Sequence, residues 1–273
     1  MSARRPIRKP VARTPVWVMP AAVVAGLAVV IAAFPVVRWY LTPLPPKPPT
    51  PDTTAKILTT ITNLPISELD TVGQGSANNL IKPVSGSTLT GAGGKPEVLY
   101  IGAEYCPYCA AQRWAMIVAL SRFGTFTGLQ TVTSSSNDIY PDTVTFTFRS
   151  ATYTSQYIDF RAVETLDRDQ NALQTPSASD KAVLNRYDSG GTIPFLDFGN
   201  RYASTGAYYT PDVIGGMSWL AVADSLQQAD SSQAKAIIGS ANLMVAAICK
   251  MTSDQPSSAC SGTAIQSLEK KLG

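Results

Sequence analysis

The stretch EVLYIGAEYCPYCAAQRWAMIVALSRF, residues 97–123, decides the fold. Glu97 to Ala103 is an apolar run of the kind expected for a central strand buried on both faces. Pro107 to Phe123 predicts a helix, apolar on most sides, with Pro107 compatible with its first turn and Trp114 in the core. Between them stand Cys106 and Cys109. Two cysteines separated by two residues at a helix start hold their sulfurs within bonding distance, and the first sulfur faces unpaired backbone N–H groups that favour its thiolate. This pattern reads as a redox dithiol, against two alternatives, a permanent structural bridge and half of a zinc site.

Downstream, Thr192-Ile193-Pro194 precedes a strand-turn-strand: Phe195 to Phe198, the dipeptide Gly199-Asn200, then Arg201 to Ser204. Leu129 to Thr133 reads as a strand. Thr143 to Phe148 and Tyr157 to Glu164 alternate polar and apolar residues and are expected to pair as an added hairpin. Thr165 to Tyr187, broken by Pro176, reads as the helical crossover, its second part capped by Ser179 or Asp180. Helices are predicted over Ser218–Ala229 and Ala234–Lys250, the latter with Asp230 and Gln233 as a capping box and with Cys249 near its end. Cys249 and Cys260 flank a turn-rich segment and are expected to form a structural disulfide, with a second, relay dithiol as the alternative. Upstream, Ala55 to Leu69 predicts an amphipathic lead-in helix. Gly73 to Gly94 predicts loop with a short strand near Leu80 to Val84, and no phosphate-binding loop, because no GK[ST] follows its glycines.

The chain has 273 residues and a formal charge of +3. Residues 1–15 hold Arg4, Arg5, Arg8, Lys9 and Arg13 and no acid, which leaves 17 basic against 19 acidic residues beyond them. A basic nucleic-acid surface is therefore not indicated. Val16 to Val37 is 22 residues without a charge, long enough as a helix to span a bilayer, with a cleavable signal peptide as the alternative. The expected organisation is a basic cytoplasmic tail (1–15), a transmembrane anchor (16–41), a proline-rich spacer (42–54) and one domain (55–273), placed outside the membrane by the positive-inside rule. Histidine is absent, which excludes histidine bases, histidine triads and HExxH zinc sites. The four cysteines fall in two close pairs, which suits an oxidising compartment.

The dithiol together with the later isoleucine-proline resembles the thioredoxin-like superfamily. YIGAEYCPYCAAQRWAMIVALSRFGTF, GGTIPFLDFGNRY and ANLMVAAIC further resemble a family of uncharacterised, membrane-anchored thioredoxin-like proteins of actinobacteria. The resemblance implies an α/β fold: a thioredoxin-like sheet with flanking helices, here with the added hairpin and an extra C-terminal helix, behind one N-terminal transmembrane helix. It implies a cis Ile193-Pro194 bond beside the dithiol, with Tyr108, Ile193 and Pro194 contacting substrate. Against thioredoxin itself, Tyr105 replaces tryptophan before the first cysteine, and Tyr100 stands where a buried acid is usual. Glu104 is the nearest carboxylate, read either as a proton carrier or as an exposed loop residue.

The expected function is thiol–disulfide exchange, with Cys106 attacking, Cys109 resolving, no cofactor and no metal. The expected partners are exported proteins bearing thiols or disulfides, the membrane through the N-terminal helix, and a redox partner the sequence does not name. The rival is a non-catalytic binding domain in which Cys106 and Cys109 form a permanent staple.

Overall fold

In the computed structural model, residues 45–273 are described throughout, and before them only 23–24, 27–29 and 31–33, which are helical with exposed side chains. The basic tail and most of the expected membrane anchor lie outside the described residues. The chain divides into compact units at 1–45 and 46–273, and the second carries the cysteines.

Its architecture is mixed α/β. The central sheet has the order β1-β9-β8-β2-β7, formed by Lys82–Pro83 (β1), Glu97–Gly102 (β2), Asp159–Glu164 (β7), Phe195–Phe198 (β8) and Tyr202–Thr205 (β9). β2 pairs in parallel with β7 and antiparallel with β8. Every residue of β2 is buried, because alternate side chains point to opposite faces and both faces are covered. Val98 and Tyr100 join the larger core under the helices Pro107–Leu120 and Ser232–Thr252. Leu99 and Ile101 join a smaller one with Phe195 and Val183, the latter from helix Ala178–Tyr187.

Numbered in chain order, the helices are α1 (Pro51–Thr62), α2 (Ile66–Val72), α3 (Pro107–Leu120), α4 (Ala178–Tyr187), α5 (Trp219–Ser225), α6 (Ser232–Thr252), α7 (Ser257–Cys260) and α8 (Thr263–Leu272). Helix α6 is long and apolar enough to cross a membrane, yet 89% of its apolar window is buried. It is a core helix. Its Gly239 lets the backbone come close to the Gln74 carbonyl, which an added Cβ would meet at 2.2 Å.

Several elements depart from the sequence reading. Thr143–Phe148 and Tyr157–Glu164 do not pair with each other. β5 (Val144–Thr147) pairs with β4 (Gln130–Thr133), β6 (Thr152–Ser155) pairs with β3 (Gly124–Thr127), and β7 enters the central sheet. The added hairpin is thus replaced by two separate ribbons, since alternation reports which face of a strand is buried and leaves its partner open. Helix α1 starts at Pro51, inside the expected spacer, because Thr50 caps it and proline suits the first helical turn. The lead-in helix is split at Pro65 into α1 and α2. The crossover holds one helix, capped by Ser177 in a capping box with Asp180. Helix α5 is shorter than expected, and α6 is capped by Ser231 rather than by Asp230. After Cys260 the chain adds α8, whose Ile265, Leu268 and Leu272 are buried.

Candidate functional site

The end of β2 feeds the dithiol directly. Cys106 is the N-cap of α3, and its sulfur accepts a hydrogen bond from the Cys109 N–H at 3.3 Å. Both thiols are free, and they differ in access: Cys106 is 7% exposed and Cys109 0%. The Cys109 thiol, donating to the Cys106 sulfur, is the largest influence holding Cys106 below the usual thiol range. Burial opposes it, while the Cys109 N–H, Arg113 and the Tyr108 N–H add to it. Cys109 is pushed well up, first by burial and then by its neighbour Cys106, with Arg113 and the Ala103 N–H pulling the other way. Both sulfurs are buried, yet they are differentiated, one slightly exposed and acidic, the other wholly enclosed and basic.

The β4–β5 ribbon fixes this helix start. Thr145 donates to the Ala110 carbonyl at 2.7 Å, the Trp114 indole donates to the Val144 carbonyl at 2.8 Å, and the Ser135 N–H donates to the Tyr105 carbonyl at 2.9 Å. Tyr108, 36% exposed, meets Tyr140 edge-on with ring centroids 5.8 Å apart. Exposed Ile139 is the neighbour of Tyr140 in the same loop, and Asp138 before it sets a carboxylate near Tyr105 and Tyr108.

Ile193 is partly exposed, Pro194 is buried, and the bond between them is cis. The Pro194 carbonyl accepts from the Gly206 N–H at 2.8 Å. Because Ile101 pairs with Phe195, the register puts Pro194 across from Gly102, at the sheet edge where the chain leaves β2 for the dithiol. Glu104 is buried rather than exposed and accepts a hydrogen bond from Thr147 at 2.6 Å.

Two charged residues that the sequence reading passed over lie beneath the dithiol. Arg113 on α3 and Glu164 at the end of β7 are both fully buried and form a two-pronged ion pair, Nε to Oε1 at 2.9 Å and Nη2 to Oε2 at 2.8 Å. Burial opposes the Arg113 charge, but Glu164, Tyr100 and Cys109 more than offset it, so the guanidinium is held charged. An arginine inside an otherwise apolar helix was the available signal, since a buried charge requires a partner.

Cys249 and Cys260 are bonded to each other, with Cα atoms 5.7 Å apart, at the end of α6 and on α7. Both are buried. Glu269 offers an oxygen within 4.8 Å of both sulfurs, but in the disulfide neither sulfur is a thiolate available to a metal.

No curated protein matches the chain. No solved structure matches it. Residues 83–185 match the model of a family described as "Domain of unknown function (DUF929)", a span that holds the dithiol, both ribbons, Arg113 and Glu164 and ends before Pro194 and α6.

Proposed function

We propose that the chain is a membrane-anchored thiol–disulfide oxidoreductase of thioredoxin-like architecture, acting outside the membrane on proteins that carry thiols or disulfides. The observation that carries this reading is the asymmetry of the dithiol. Cys106 keeps a slight exposure at a helix N-terminus with its thiol acidified, and Cys109 is wholly buried behind it. A structural staple needs no such difference, whereas exchange chemistry needs one sulfur to meet substrate and a second to resolve the product.

When the protein reduces a substrate, the Cys106 thiolate attacks a substrate disulfide, forms a mixed disulfide and expels the first substrate thiolate. Cys109 then attacks the Cys106 sulfur, which closes the Cys106–Cys109 bond and expels the second substrate sulfur. Two electrons pass from the dithiol to the substrate, and running the steps backwards donates a disulfide. The aromatic pair Tyr108 and Tyr140 suits a polypeptide surface. Ile193 and Pro194 border the approach to Cys106.

Trapping tests the proposal. A Cys109→Ser variant expressed in cells is expected to accumulate mixed disulfides with exported proteins, visible as reducible high-mass species, and Cys106→Ser is expected to give none. If neither variant, both folded, captures any protein, the exchange reading fails and the staple reading replaces it.

A further inference from the structure

The Arg113–Glu164 pair is costly if its only role is to hold the fold together. A fully buried ion pair is often no better for stability than apolar side chains of the same shape, and this one starts from a helix face shared with Cys109, Ala110, Met116 and Ile117, all buried. Its position is specific. Arg113 follows Cys109 by one helical turn, so the two share a face, and a helical side chain leans back over the preceding turn. Its guanidinium thus covers the buried side of the dithiol. Nε and Nη2 are given to Glu164, and Nη2 also donates to the Ala103 carbonyl at 2.6 Å. Nη1 is left buried with no hydrogen-bond partner, and so is the hydroxyl of Tyr100, which packs over Gly102 at the end of β2. The titratable and charged groups around Cys109 are then Cys106 and Arg113 from its own helix, Tyr100 from β2, Glu164 from β7, and Glu104 and Tyr105 from the loop before Cys106. Only one of them carries positive charge.

We propose that Arg113, held in place by Glu164, is the positioning residue that supplies the countercharge to the Cys109 thiolate in the resolving step. The inference rests on the exchange reading of the dithiol. In that step the Cys109 proton passes through water to the departing substrate sulfur, the Cys109 sulfur bonds to the Cys106 sulfur, and the Cys106–substrate bond breaks. The substrate disulfide is the oxidant. During the transfer a second anion appears beside a cation already matched by one carboxylate, and the unused Nη1 donor is what the site holds in reserve for it. No carboxylate is required at Tyr100.

A small aromatic disulfide separates the two sulfurs in one experiment on the full-length reduced protein in detergent. Attack by Cys106 releases a first aromatic thiolate, and resolution by Cys109 releases a second, so two phases are read at each pH. Removing both charges, in Arg113→Met with Glu164→Gln, is expected to slow the second phase about tenfold at neutral pH and to slow the first much less, because the Cys109 thiol rather than Arg113 is the main influence on Cys106. The pH midpoint of the second phase should rise by about one unit. Glu164→Gln alone leaves the cation without its carboxylate and is expected to move the same midpoint down. These opposite displacements are what a merely structural pair would not produce. A second phase whose midpoint is unchanged in the double variant, or rises in Glu164→Gln, overturns the proposal. Should the double variant fail to fold, the direction of the Glu164→Gln displacement decides alone. Absence of the first phase in the unaltered protein would instead overturn the exchange reading itself.

Discussion

Asp197 lies in the middle of β8 with its side chain 0% exposed; Oδ1 accepts from the Asn200 N–H at 2.8 Å and Oδ2 has no partner. Its pairing opposite Leu99 sets it on the same sheet face as Glu97. Burial pushes the carboxyl up to about 7, with Glu97 adding to the rise and the Asn200 N–H opposing it. The unfolded chain loses this proton near pH 4, so between about pH 4 and 7 the folded state holds a proton that the unfolded state lacks, and stability falls as pH rises through that window. The loss amounts to at most about 4 kcal/mol. Asp197→Asn should therefore flatten the decline in melting temperature between pH 5 and pH 8 and be the more stable form at pH 8; an unchanged decline would contradict this. At this scale the sequence exposed Cys106 and Cys109 through their spacing, but Arg113, Glu164 and Asp197 depend on partners from other elements. Nothing local distinguishes Glu164, at the end of an alternating strand, from a solvent-facing acid.

Among the elements, α6 and its disulfide are the most open to direct test. Cys249 and Cys260 close a short loop between α6 and α7, are bonded to each other and are both buried. Replacing both by serine should cost about 3 kcal/mol in the chain-entropy view of so short a loop and leave the Cys106 chemistry intact. Calorimetry and the aromatic-disulfide assay check the two halves, and loss of exchange in a folded variant would show that the second pair takes part in it. The strand-turn-strand after Pro194 and the strand–dithiol–helix unit were legible because each is local: Gly199 and Asn200 both take positive φ, as a tight turn demands. The partners of β5 and β7 were not legible. Both strands alternate, and only the β4–β5 clamp on α3 and the parallel β2–β7 register tell them apart. Helix α8 was readable in principle from Ile265, Leu268 and Leu272 on one face.

For the whole molecule, the proposed topology rests on the charge asymmetry between residues 1–15 and the remainder, which by the positive-inside rule would keep the domain outside the membrane. Protease given access to the outer face of a sealed cytoplasmic membrane should remove the domain of residues 46–273, and complete protection would reverse the topology. The sheet, covered by α3 and α6 on one face and by α4 on the other, holds the end of β2 rigidly, and a rigid support is what a differentiated dithiol requires. The most direct test of that dithiol is its reduction potential, measured by equilibrating the protein with glutathione buffers and following the Cys106–Cys109 bond by mass. Exchange chemistry predicts a reversible two-electron transition well above about −300 mV, in the range of known oxidoreductases. A pair that stays oxidised below about −300 mV would be a structural bridge, and the central claim would be wrong.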